Sequence, residues 1–345
     1  MTLKFCLLIS VTIIMGVTTS CAPTRKYSGE CYIPPDSVVF EACMMPIRLH
    51  TMCSAGPSGS ILVRTSGDIF KFSPPEWQAE ELQLELPFSN RLVRNQASAF
   101  YSDTFKCYYF LIGNGLFRLP RDRTEADRHM IITRPYSNRA YSDLLPIRDG
   151  RLLIINCRIS NRSGGYLTKL LLVDTEDFLP LDTLYYDSPV RHMIAGPEEA
   201  ELYLRESTGS IAVVDINSFV IDRTFEFEPG IGQIGFAANS LLGFRSDTLY
   251  QIDRWSGVLN PLWGLGEDCN RSRYEWRFAY PWGPYVFRAD WEDSVLETIK
   301  LPDISVVDRH VMDLSRIPEL DILFISPHEG FVFNKTWEGY YRLVR

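Results

Sequence analysis

The sequence predicts an all-β chain built from about seven copies of a four-stranded unit, and three observations carry that prediction. Past residue 36 the chain is a succession of short runs rich in β-branched and aromatic residues. Gly, Asn, Asp and Pro turn signals separate these runs, and no long stretch has the apolar periodicity of an amphipathic helix. The most apolar runs also recur at a near-constant spacing. Their centres fall near Leu62, Phe110, Ile154, Tyr203, Leu242, Val286 and Leu323, at steps averaging about 43 residues.

Each apolar run is followed by a turn and a second strand-like run, as in GDIFKFS, GLFRLPR, LTKLLLVDT and GSIAVVDIN. A four-stranded unit of roughly 40 to 45 residues is one blade of a β-propeller. Residues 37–345 therefore read as a single propeller of seven blades. Six blades are the alternative, and the uneven steps also allow eight blades or a pair of β-sandwiches. Such a ring is usually closed by one terminus joining the last blade. Ser37 to Glu41 is the segment expected to pair with Tyr340 to Val344.

The clearest copy is Gly209-Ser210-Ile211-Ala212-Val213-Val214-Asp215-Ile216, followed by Val220-Ile221-Asp222-Arg223-Thr224-Phe225. It resembles the YVTN-type and quinoprotein-like propeller repeats of bacteria. Leu172-Val173-Asp174 and Gln251-Ile252-Asp253 match more loosely. The Asp of this motif can accept hydrogen bonds from backbone amides of the next turn. The resemblance therefore implies a fold and brings no catalytic residue.

The first residues point to a location. Lys4 precedes a largely apolar run from Phe5 to Val17, too short to span a bilayer, and Thr18-Thr19-Ser20-Cys21 follows. This resembles the bacterial lipoprotein signal, with Thr18 where the family usually has Leu. The resemblance implies that residues 1–20 are removed, that Cys21 is lipidated, palmitate included, and that residues 21–36 form a tether to a membrane. Ala22, where Asp would imply retention in the inner membrane, implies the outer membrane. An ordinary secreted chain cut near Ser20 is the alternative.

Composition bounds the partners. Hydrophobic residues make up 46% of the chain and charged ones 23%, a globular balance. A net charge of −8 and a pI near 5.3 argue against nucleic acid as a partner. Besides Cys6 and Cys21 there are Cys31, Cys43, Cys53, Cys107, Cys157 and Cys269, enough for three disulfides in an exported chain. The trio Cys31, Cys43 and Cys53 suggests a local clasp, whereas Cys107 and Cys157 sit in apolar runs that favour buried thiols. No cysteine pair has CxxC spacing and the histidines are scattered, so no metal site is expected.

The candidate site comes from the segments that lead into the apolar strands. Six of the seven carry arginine, giving Arg48, Arg94, Arg139, Arg191, Arg271 or Arg273, and Arg309, with His192 and His310 directly after two of them. Converging guanidinium groups would make a positive mouth suited to a carboxylate, phosphate or sulfate. The alternative is that they are solvated or paired with acids such as Asp143, Asp187 and Asp308. No cofactor motif, GxSxG elbow or HExxH appears. The sequence thus predicts a non-catalytic binder of an envelope protein, an anionic small molecule or a glycan. A propeller hydrolase, lyase or dehydrogenase is the alternative.

Overall fold

The computed structural model describes residues 39–44, 51–55, 60–64, 69–73, 78–82, 97–102, 104–112, 115–123, 125–131, 142–160, 166–245, 248–264, 274–278, 285–290, 293–311, 320–326, 329–334 and 339–344. The signal segment, Cys21, the tether to residue 36, Arg48, Arg94, Arg139, Arg271, Arg273, Cys31 and Cys269 lie outside the described residues. Among the described residues, 28 strands form seven four-stranded antiparallel sheets.

Strand β1 (Val39–Met44) comes first, and sheet 1 follows with β2 (Thr51–Ala55), β3 (Ser60–Arg64), β4 (Ile69–Ser73) and β5 (Gln78–Leu82). Sheet 2 holds β6 (Ala97–Ser102), β7 (Cys107–Ile112), β8 (Gly115–Pro120) and β9 (Arg128–Ile131). Sheet 3 holds β10 (Ser142–Ile147), β11 (Leu152–Ser160), β12 (Tyr166–Asp174) and β13 (Leu179–Tyr186). Sheet 4 holds β14 (Val190–Ala195), β15 (Glu201–Glu206), β16 (Ile211–Asp215) and β17 (Val220–Phe225). Sheet 5 holds β18 (Gln233–Ala237), β19 (Ser240–Arg245), β20 (Thr248–Ile252) and β21 (Leu259–Trp263). Sheet 6 holds β22 (Tyr274–Phe278), β23 (Tyr285–Asp290), β24 (Val295–Lys300) and β25 (Ser305–Val311). Sheet 7 joins β26 (Leu320–Ser326), β27 (Glu329–Asn334) and β28 (Gly339–Val344) to β1, with Val39 opposite Val344 and Met44 opposite Gly339.

The first strands of successive sheets touch: β2 meets β6, β6 meets β10, and so on through β14, β18, β22 and β26, which meets β2. Sheets 3 and 4 also bury side chains on both faces. Ile154 and Leu172 of sheet 3 pack with Met193, Leu204 and Val214 of sheet 4. Leu153, Ile155 and Val173 point the other way, onto Tyr109 and Leu116 of sheet 2. Tyr203 and Val213 of sheet 4 meet Ile234, Phe236 and Leu241 of sheet 5. A strand paired on both edges and covered on both faces must be apolar throughout, and this is why the second strands are the most apolar.

That placement corrects the register read from the sequence. Leu62, Phe110, Ile154, Tyr203, Leu242 and Val286 all lie on second strands, one position out from the sheet edges that meet. Leu323 alone lies on a first strand, β26. The short last step in the repeat arises because that centre was set one strand too early. Consequently Arg309 and His310 do not lead into an inner strand. They lie on β25, the strand of sheet 6 farthest from β22.

In sheets 2 to 6 the chain passes from one sheet to the next at one end of the strands, the crossover face. The hairpins joining first to second and third to fourth strands lie at the opposite end, the turn face. Cys107 and Cys157 are both buried thiols. Cys107 starts β7 opposite Ser102, beside the turn face, and Cys157 lies opposite Ser142 at the crossover end of β10, so the fold holds the two apart.

Candidate functional site

On the turn face of sheets 3 to 5 most polar groups partner one another, although Glu199 Oε1 is buried without a hydrogen bond. Asp174 Oδ1 accepts hydrogen bonds from the N–H groups of Glu176 and Asp177 at 2.8 Å. Asp215 does the same for Asn217 and Ser218, and Asp253 for Trp255 and Ser256. These are the three aspartates singled out by the repeat motif, and each caps its turn. Arginines then clamp one sheet to the turn of the next. Arg128 donates to Asp177 O at 3.1 Å, and Arg223 donates to Arg254 O at 2.8 Å.

Between sheets 4 and 5 the clamp becomes a network around Glu201. Its carboxylate accepts from Arg223 at 2.5 Å, from Arg254 at 2.7 Å and from the Tyr203 hydroxyl. Burial opposes charge on Glu201, but these donors outweigh it and hold the carboxyl at about 2. Tyr203 is pushed up to about 12, by burial and then by the neighbouring carboxylate. The Arg223 guanidinium also lies 4.8 Å from the ring centroid of the exposed Trp255, a cation–π contact.

The crossover face of the same sheets is different. The segment entering sheet 4 is pinned: Thr168 Oγ1 donates to Ser188 O at 2.7 Å and accepts from Val190 N–H at 3.0 Å, while Tyr186 and Ser188 hydroxyls donate to buried Glu206. Beyond this anchor β14 carries a bulge. Val190 faces Glu206 and His192 faces Arg205, so Arg191 is the extra residue. A bulge turns its residue away from the regular pleat, here the one bearing the charge. Arg191 is exposed and His192 half-buried.

Arg205, across from His192 on β15, is half-buried and donates from Nη1 to Ile231 O at 3.4 Å. Its Nε is buried and makes no hydrogen bond. Burial first, and then the Arg191 charge, pull this guanidinium below its usual value. No carboxylate pairs with Arg205 among the described residues.

Sheet 3 contributes Asp143 and Asn156, direct partners across β10 and β11. Asp143 is not paired with arginine: its Oδ1 accepts from Leu144 N–H at 2.9 Å, and burial raises its carboxyl pKa. Asn156 is 3% exposed, and its Oδ1 makes no hydrogen bond. Among the described residues no group of three or more His, Cys, Asp or Glu could hold a metal ion.

Of the residues expected at a positive mouth, the structure brings Arg191 and His192 to the crossover end of a first strand. Arg94, Arg139, Arg271 and Arg273 lie outside the described residues. Arg309 is exposed on β25, the strand of sheet 6 farthest from β22, with its Nε 3.5 Å from Glu297 Oε1. Arg205 and Asn156 were missed because attention fell on the segments before the apolar strands. A signal was present at the far ends of those strands, where Arg64, Arg158, Arg205, Arg245 and Arg288 occur in five of seven.

No protein-family model and no curated protein matches the chain. In fold it is similar to the β-propeller domain of Cps50 (Swd1) from Myceliophteria thermophila, with a TM-score of 0.61 and 13% sequence identity. That likeness covers 89% of this chain and 100% of the other. The fold is that of a β-propeller. In all, 1336 solved chains match, so the architecture is heavily reused and selects no activity.

Proposed function

We propose that the seven sheets are the blades of one closed ring spanning residues 37–345, and that this ring is a binding module without catalysis. The ligand is held at the crossover mouth, where Arg191 and Arg205 grip an anionic group and His192 lines the approach. One observation carries this reading: Arg205, half-buried on β15 opposite the bulge that carries Arg191, has only a carbonyl partner at 3.4 Å and a buried Nε without a hydrogen bond. An anion between them would offset their repulsion and satisfy the buried Nε. We further propose that lipid on Cys21 anchors the ring to the bacterial envelope, on the outer membrane, where the ligand is an acidic glycan, a small anion or an acidic segment of an envelope protein.

The test is calorimetric titration of the full chain in detergent with citrate, glucuronate and inorganic phosphate. An anion that binds should lose affinity tenfold or more in Arg205→Ala and in Arg191→Ala, and should weaken as salt rises. Anion binding that both variants leave unchanged would sink the mouth. Radiolabelled palmitate should enter the wild type and be absent from Cys21→Ser; label in both, or in neither, would sink the anchor.

A further inference from the structure

We infer that Asp143 and Asn156 form a second subsite at the same mouth, one that takes the ammonium or guanidinium group of a ligand. The two residues are direct partners in the β10–β11 register, and such partners carry their side chains on one face, close together. Both present acceptor oxygens. Asp143 receives one N–H, from its own neighbour Leu144, and the buried Asn156 Oδ1 receives none. Register partners of this kind can serve one ligand that brings N–H donors to both residues.

The position suits a ligand. Strand β10 is a first strand, flanked by β6 and β14, and Asp143 keeps accessible surface although protein surrounds it. A residue on the wall of an internal channel has that combination. No charged group among the described residues acts on Asp143, and only the Leu144 N–H offsets the burial of its carboxylate. A water molecule could bridge the oxygens but would not balance the charge. A cation with several N–H donors does both. This subsite stands on sheet 3 alone and does not depend on the arginine pair of sheet 4.

Calorimetry and thermal melting of the full chain in detergent test it, with methylammonium, putrescine and agmatine as probes and 1,4-butanediol as the uncharged control. At least one amine should bind and raise the melting temperature, and butanediol should do neither. Asp143→Asn keeps the shape of the side chain and should weaken the amine tenfold or more; Asn156→Leu should weaken it several-fold. Arg205→Ala should leave amine binding intact, which separates this subsite from the anion mouth. Amine binding unchanged in Asp143→Asn, butanediol binding as well as the amines, or no amine binding to the wild type would each overturn the subsite.

Discussion

On the turn face, Glu201 accepts from Arg223, Arg254 and Tyr203, and Asp174, Asp215 and Asp253 fill their acceptor oxygens with turn amides. On the crossover face of the same sheets, Arg205 has a long bond to one carbonyl, and Asn156 Oδ1 has no donor. Both faces use arginine, acid and amide groups, but the crossover face is the less complete: the turn face leaves Glu199 Oε1 buried without a hydrogen bond, whereas the crossover face leaves both Asn156 Oδ1 and Arg205 Nε so, and gives Arg205 no carboxylate among the described residues. Buried polar groups are usually satisfied, so the less complete face is where something outside the chain is expected to supply the missing partners. In the proposed reading the turn face accounts for stability and the crossover face for binding.

The largest effect should come from the backbone that supports the crossover face. Gly230 lies against the turn of sheet 4, where a Cβ would stand 2.0 Å from Thr208 O. Gly209 on that turn has φ +92°, which disfavours any side chain. Gly230→Ala should therefore lose about 3 kcal/mol or more in denaturant unfolding. A loss below about 1 kcal/mol would show that the turn and the crossover are not packed as described.

Next comes the Glu201 network. A carboxyl at about 2 in the fold and 4.5 otherwise contributes stability that is complete above pH 4.5 and is lost as pH falls toward 2. The pH-linked part is on the order of 3 kcal/mol. Glu201→Gln should lower stability by about that amount at pH 7 and have little effect near pH 2, read from unfolding curves at both. An equal loss at both values would mean that shape, not charge, holds sheets 4 and 5 there. Asp215→Ala, which leaves two turn amides without their acceptor, should lower the melting temperature by only about 2 °C.

The sequence made the scaffold more legible than the mouth. The turn-capping aspartates were readable because Val-Asp followed by a polar turn is a local pattern, and local hydrogen bonds need nothing from the rest of the fold. The pairing of β1 with β28 was readable from two apolar strands at the chain ends, with a shift of a few residues. The mouth depends on which strand of each unit meets its neighbours, a tertiary property. Apolarity marks the most enclosed strand, and that is the second one, since the first is paired along one edge only. Taking the most apolar strand as the innermost therefore moved attention away from Arg205 and Asn156. In sheet 7 the apolar centre falls on the first strand β26 itself, so the segment read as leading into it falls on the outer strand β25 of sheet 6, where Arg309 and His310 lie. The bulge at Arg191 leaves no mark in the sequence, because it is set by pairing.

The smallest stability effect belongs to Arg205, and it tests the contrast between the faces most directly. A cation whose pKa is lowered in the fold works against folding while it is charged, so Arg205→Met should leave the melting temperature unchanged or raise it slightly. In the same variant, calorimetric affinity for whichever of citrate, glucuronate or phosphate binds the wild type should fall tenfold or more. A melting temperature several degrees lower with anion affinity intact would show that Arg205 is a structural clamp like Arg223, and would contradict the assignment of the crossover face to binding.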